Sequence, residues 1–181
     1  MDSSIPDAGK IFKETCSELK DSFDCTYVFY LYKYKNFKIS YITHTDWMDL
    51  YLNKSLISNC PLIRVGQDKI ALSKSSNVIL RWNDVLPISK EEKNTNGLRS
   101  EFNICNGISF GRKIFGASDY FGMATDKKNY DFSRNIIINS VRVRQLMDKL
   151  FCATSIALFY DVILKNLEYS SPISVLALRK D

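Results

Sequence analysis

The chain has 181 residues and a formal charge of +5, with basic residues interleaved with acidic ones as in Lys90-Glu91-Glu92-Lys93. That length suits a single domain spanning 1–181, with a core that needs neither disulfides nor metal, and the scattered charge excludes a basic nucleic-acid arm. No apolar run approaches a membrane span, Met1 to Pro6 holds no secretory core, and five cysteines without a C-x-x-C pair read as free thiols of a cytoplasmic protein.

Residues 7–22 carry Ile11, Phe12, Cys16 and Leu19 at helical spacing, with Phe23 just beyond. Tyr27 to Tyr32 is a β-rich run with little polar content. After Lys33 to Asn36, the residues Phe37, Ile39 and Tyr41 alternate with Lys38 and Ser40, which predicts a hairpin with one wetter face. Helical spacing returns over 45–56, where Thr45 or Asp46 can cap and Trp47, Leu50 and Tyr51 share a face. Pro61, Gly66 and a Ser-rich cluster predict a loop over 57–76.

Val78-Ile79-Leu80 is a short strand running into Arg81-Trp82. Ser89 with Glu92 three residues on is a capping box that opens a helix, and Gly97 is expected to weaken its continuity. Gly107 to Thr125 reads as a second hairpin turning near Gly116. From Asp131 to Ser170 there is neither Gly nor Pro. Ile136, Val143, Met147 and Leu150 fall on one face, opposite Arg142, Gln145, Asp148 and Lys149, so this is one long amphipathic helix or two in series. Hairpins rather than βαβ crossovers predict an α+β domain with an antiparallel sheet and helices on its faces.

Chemistry for catalysis is sparse. His44 is the one histidine, no metal-ligand spacing is present, and neither a phosphate-cradling loop nor a paired acid and base stands out. No catalytic residue, metal site or cofactor is expected.

One ordered series carries a resemblance. Trp47, Tyr51 and Pro61 are followed by Trp82, then by Phe102-Asn103-Ile104-Cys105-Asn106-Gly107-Ile108-Ser109, then by Phe121-Gly122-Met123-Ala124-Thr125-Asp126-Lys127. In order and spacing it resembles the autoinducer-binding domain of LuxR-type transcription regulators, from about residue 10 to residue 165. The resemblance implies an α-β-α sandwich around a five-stranded antiparallel sheet, with an acyl-homoserine lactone held between the sheet and the helices on one face. It implies that Trp47 donates its indole N–H to a lactone carbonyl, that Tyr51 packs along the ligand, and that Trp82 closes the pocket. Gly107 matches a glycine that opens a sheet strand.

The departures lie at the polar anchors. Cys60 stands where the family has an Asp that accepts the ligand amide, Thr43 where it has a Tyr for the acyl carbonyl, and Gly122 where it often has Ser or Thr; Asn103 replaces a usual glycine. Losing the carboxylate acceptor alone costs about 1.5–3 kcal/mol, roughly ten- to a hundred-fold in affinity. The ligand site is therefore expected to comprise Trp47, Tyr51, Trp82, Cys60 and Thr43, and to hold ordinary acyl-homoserine lactones poorly in favour of a different apolar signal. Family members continue into a helix-turn-helix half. No such pattern fits after the last helix here, so this chain is not expected to bind DNA or a membrane directly. It is expected either to sense a small molecule or to form a homodimer, or a heterodimer that modulates a full-length regulator.

Overall fold

Asp7 starts the first helix by accepting the Lys10 N–H on its carboxylate at 3.0 Å, and Asp24, left-handed at φ 58°, ends it. The computed structural model describes residues 6–72 and 76–170, with side chains described as far as Val162. Within these, α1 (Ala8–Phe23) is followed by β1 (Tyr27–Tyr34), β2 (Phe37–Ile42), α2 (Thr45–Asn53), a 3-10 turn (Leu56–Asn59), α3 (Pro61–Leu72) and β3 (Asn77–Arg81). A second 3-10 turn (Trp82–Asp84) leads to α4 (Lys90–Glu101), β4 (Asn106–Ile114), β5 (Ala117–Thr125), α5 (Phe132–Ile138) and α6 (Ser140–Ser170). No helix among the described residues is long and apolar enough to cross a membrane.

The five strands form one antiparallel sheet in the order β2-β1-β5-β4-β3. Strand alternation divides the sheet into two unlike faces. On one, Val28 pairs with Met123 and Tyr30 with Phe121, while Ile108 and Phe110 face the same partners from β4. This face packs on Phe12 and Leu19 of α1, Phe132 and Ile136 of α5, and Val143, Met147 and Leu150 of α6 to make the main core. Asp119, wholly buried, takes a bidentate pair from Arg112 directly opposite it on β4, at 2.9 and 2.6 Å, and Arg112 also bonds Asp148 of α6. One guanidinium thus ties the sheet to the long helix. On the other face Phe29, Gly122, Ser109 and Leu80 lie in register, beneath α2, α3 and α4.

Several sequence expectations are corrected. The stretch 57–76 is largely helical: Pro61, taken for a loop signal, occupies the first position of α3, where its missing N–H costs nothing. α3 is pinned to α4 by Arg64, which donates to both Glu92 carboxylate oxygens at 2.6 and 3.0 Å. α2 ends at Asn53 rather than near 56, and His44 rather than Thr45 or Asp46 is its N-cap, with no side-chain cap bond. Gly97 does not interrupt α4. The Ser89 hydroxyl accepts the Glu92 N–H at 3.1 Å as the capping box requires, but Glu92 takes the Ile88 N–H at 2.8 Å instead of closing the box. Asn103 has φ 57°, just past the end of α4. A left-handed position that glycine favours is one that asparagine also tolerates, which accounts for the exchange.

Candidate functional site

The second face of the sheet is floored by small residues. An added Cβ at Gly107 would stand 2.3 Å from Trp82 Cε3 and 2.8 Å from the Met123 carbonyl oxygen, so the indole lies against the bare glycine. A Cβ at Gly122 would meet Trp82 Cζ2 at 3.6 Å, an ordinary contact. The Trp82 ring therefore spans the floor, and its Nε1 donates to the Ser109 hydroxyl at 2.8 Å. Ser109 is paired with Gly122 in the ladder. The hydroxyl missing at position 122 is thus present one strand over, and it is engaged by Trp82.

Around Trp82, the side chains of Tyr27, Trp47, Ile104 and Ala124 are buried, and Phe29, Leu50, Tyr51, Leu62, Leu98 and Phe102 are half-buried against them. Trp47 sits 5.2 Å from the Tyr51 ring and 5.5 Å from Phe102, centroid to centroid. Its helix presents both rings inward because they are four residues apart. Tyr27 meets Trp82 edge-on at 6.1 Å and His44 at 5.7 Å.

Cys60, buried at the start of α3, lies beside the Tyr51 hydroxyl, and burial pushes the phenols of Tyr51 and Tyr27 up, with the Cys60 thiol adding to both shifts. Four of the five expected site residues, Trp47, Tyr51, Cys60 and Trp82, are brought together. Thr43 is placed differently. It is exposed, its hydroxyl accepts the Val28 N–H at 3.0 Å, and it contacts His44 Nδ1 at 3.0 Å, so it closes the end of the β1–β2 ladder rather than facing the cluster.

Sequence reasoning missed Arg99. It is 9% exposed, and its guanidinium carbon stands 4.9 Å from the centre of the Trp82 ring. Nε donates to the Ile104 carbonyl at 3.2 Å, while Nη1 is buried with no partner. Burial lowers its pKa, countered by Cys60, Tyr51, Tyr27 and Cys105 around it. The sequence shows only that Glu92, Thr95 and Arg99, all polar, recur at helical spacing; that all three are buried is seen in the structure.

Elsewhere, an open groove of about 600 Å³ at the end of α1 is lined by Lys20, Asp24, Asn135, Asn139 and Arg142, among others. Its polar walls are remote from the aromatic cluster. The described residues contain no group of acidic, histidine and cysteine side chains that could hold a metal.

Neither a protein-family model nor a curated protein sequence matches the chain. Solved structures do. The structure of SdiA in complex with octanoyl-rac-glycerol superposes with a TM-score of 0.60 at 12% identity, over 81% of this chain and 59% of SdiA. The N-acylhomoserine-lactone-dependent LuxR-family factor CepR2 of Burkholderia cenocepacia gives 0.55 at 17% identity, over 84% and 85% of the two chains. The ligand-binding domain of VqsR from Pseudomonas aeruginosa gives 0.55 at 9% identity, over 80% and 94%. The chain thus has the α+β fold of LuxR-type autoinducer-binding domains, as its ordered aromatic series suggested, and it spans about three-fifths of the SdiA chain.

Proposed function

We propose that the chain is a ligand-sensing domain that takes a small molecule on the α2–α4 side of its sheet, between walls formed by Trp47, Tyr51 and Trp82. The contrast between the two faces carries this reading. Against α1, α5 and α6 the core is closed and its largest side chains are fully buried. On the other side most of the apolar cover is only half-buried, and the buried Arg99 Nη1 has no partner. Small-molecule sites are lined mainly by apolar and aromatic side chains with a few polar groups among them.

The proposed ligand has an apolar tail and is not an ordinary acyl-homoserine lactone. Cys60 is a weak acceptor, the Thr43 hydroxyl is held by Val28, and the Ser109 hydroxyl by Trp82. SdiA, solved with octanoyl-rac-glycerol, supports room for an acyl tail in this fold. Binding rather than catalysis fits the thiols: burial pushes Cys16 and Cys25 up to about 12, far from a reactive thiolate. Five free cysteines accord with the cytoplasmic setting that belongs to this proposal. Thermal shift and native mass spectrometry across acyl-homoserine lactones of several chain lengths test it, with Trp47→Phe as the variant that removes the N–H donor and keeps an aromatic ring. Sub-micromolar binding of any lactone would refute the divergent-pocket reading.

A second reading is favoured by α6. Ile156, Phe159 and Tyr160 are 40%, 64% and 43% exposed on that helix, an apolar patch suited to a protein partner. On this reading the chain dimerises, with itself or with a full-length regulator, irrespective of ligand. Light scattering of the wild type and of Phe159→Asp separates the two, since only this reading expects a ligand-independent dimer that the aspartate breaks.

A further inference from the structure

Three charged side chains are buried among the described residues: Glu92, Arg99 and Asp119. Two have full counter-charges. Glu92 holds Arg64 and Asp119 holds Arg112. Arg99 has none: its Nε meets a backbone carbonyl, its Nη1 meets nothing, and the groups that influence it are the phenols of Tyr27 and Tyr51 and the thiols of Cys60 and Cys105. A guanidinium stays charged at any ordinary pH. A buried charge without an ion partner is costly and uncommon, and here it stands inside the cluster assigned above to the ligand, stacked over Trp82.

We infer that Arg99 is the receptor for a carboxylate head group, so that the signal is an anionic acyl compound rather than a neutral lactone. This rests on the sensing function proposed above and specifies its ligand. With Nε engaged by Ile104, the Nη1 end of the fork is the part left to bind, and a carboxylate matches it in charge and in planar geometry. Trp82 and the half-buried Leu50, Tyr51 and Leu62 are the apolar side chains that an attached acyl chain would meet. The dense packing around Trp82 means that entry displaces the α2–α3 cover, whose apolar side chains are already partly exposed.

The test is a titration of the whole chain with matched probes: N-octanoyl-homoserine lactone and its ring-opened carboxylate, N-octanoyl-homoserine, with octanoyl-glycerol as a second neutral compound. The carboxylate is expected to bind about ten- to a hundred-fold more tightly than the lactone, as loss of a charge-assisted partner implies. Arg99→Met is expected to remove that preference, so that the carboxylate and the neutral probes bind alike. Arg99→Lys, which keeps the charge without the fork, is expected to retain part of it and serves if the methionine variant does not fold. Equal or tighter binding of the neutral probes to the wild type would overturn the carboxylate assignment and leave the sensing reading intact. Binding of none of the probes would overturn both. A preference for the carboxylate that survives both substitutions would move the head-group site away from Arg99 and sink the inference.

Discussion

Gly107→Ala probes the architecture of the site directly. The added methyl would stand 2.3 Å from Trp82 Cε3, against the roughly 3.5–4.0 Å at which carbon atoms rest. The methyl would also stand 2.8 Å from the Met123 carbonyl oxygen on the paired strand, so the strand must give there as well. The indole must therefore lift, and Arg99 is stacked over it. Overpacking of this kind costs about 1–3 kcal/mol, and full eviction of a buried tryptophan sets an upper limit of about 3–5 kcal/mol. A loss of about 3 kcal/mol lowers the melting temperature of a domain this size by roughly 6–12 °C. Gly122→Ala is the control, since its methyl meets nothing closer than 3.5 Å, and it is expected to shift stability by less than about 1 kcal/mol. Trp47 and Trp82 are the two tryptophans of the chain, so a Trp47→Phe background isolates Trp82 fluorescence. In it, Gly107→Ala should red-shift the emission as the ring leaves Ser109 and meets water. Melting temperatures of the two alanine variants within about 2 °C of each other, or an unshifted emission, would refute the placement of the indole on Gly107.

Three more outcomes follow from named contacts. Asp119→Asn leaves the nearly buried Arg112 with Asp148 alone and is expected to cost about 3 kcal/mol in urea denaturation; a loss below about 1 kcal/mol would show that Asp148 suffices. Phe115 is fully exposed at φ 48° beside Gly116 in the β4–β5 turn, where asparagine is the favoured residue, so Phe115→Asn should gain about 1 kcal/mol in a thermal melt. The Arg64 guanidinium and the Ile88 N–H hold the Glu92 carboxyl below the usual carboxylate range. Its folded pKa being depressed, the stabilisation is complete at neutral pH and is lost as pH falls through the folded value. The melting-temperature gap between wild type and Glu92→Gln should accordingly be constant from neutral pH to about 5 and shrink below about 4; a constant gap throughout would contradict the pairing.

Much of the fold is legible in the residues because its signals are local. Asp7 and Ser89 bind the amides that cap their helices, Gly116 has the positive φ of a hairpin turn, and Val143, Met147 and Leu150 repeat with the helix. α3 was not legible for an equally physical reason. Only Pro61 of that helix is buried, so it lacks a strong apolar stripe, and its position is held by the Arg64–Glu92 pair, 28 residues apart, and by Lys69 bonding the Ile79 carbonyl. A proline before a short apolar run reads as a turn until a partner is there to hold the helix that it begins.

The aromatic walls belong to the same divide. Periodicity alone puts Trp47 and Tyr51 on one helix face, and the resemblance to LuxR-type domains adds Trp82 to them. What only the tertiary structure decided is which polar side chains turn inward among them. Glu92, Thr95 and Arg99 mark a helix face that looks solvated, because charge in a sequence is read as exposure. α4 turns that face inward, where Glu92 meets Arg64 but Arg99 lies against Trp82 and Ile104, and so leaves one uncompensated guanidinium inside the cluster. Periodicity specifies which residues share a face; which face is covered, and by what, is set by the packing of segments distant in the chain.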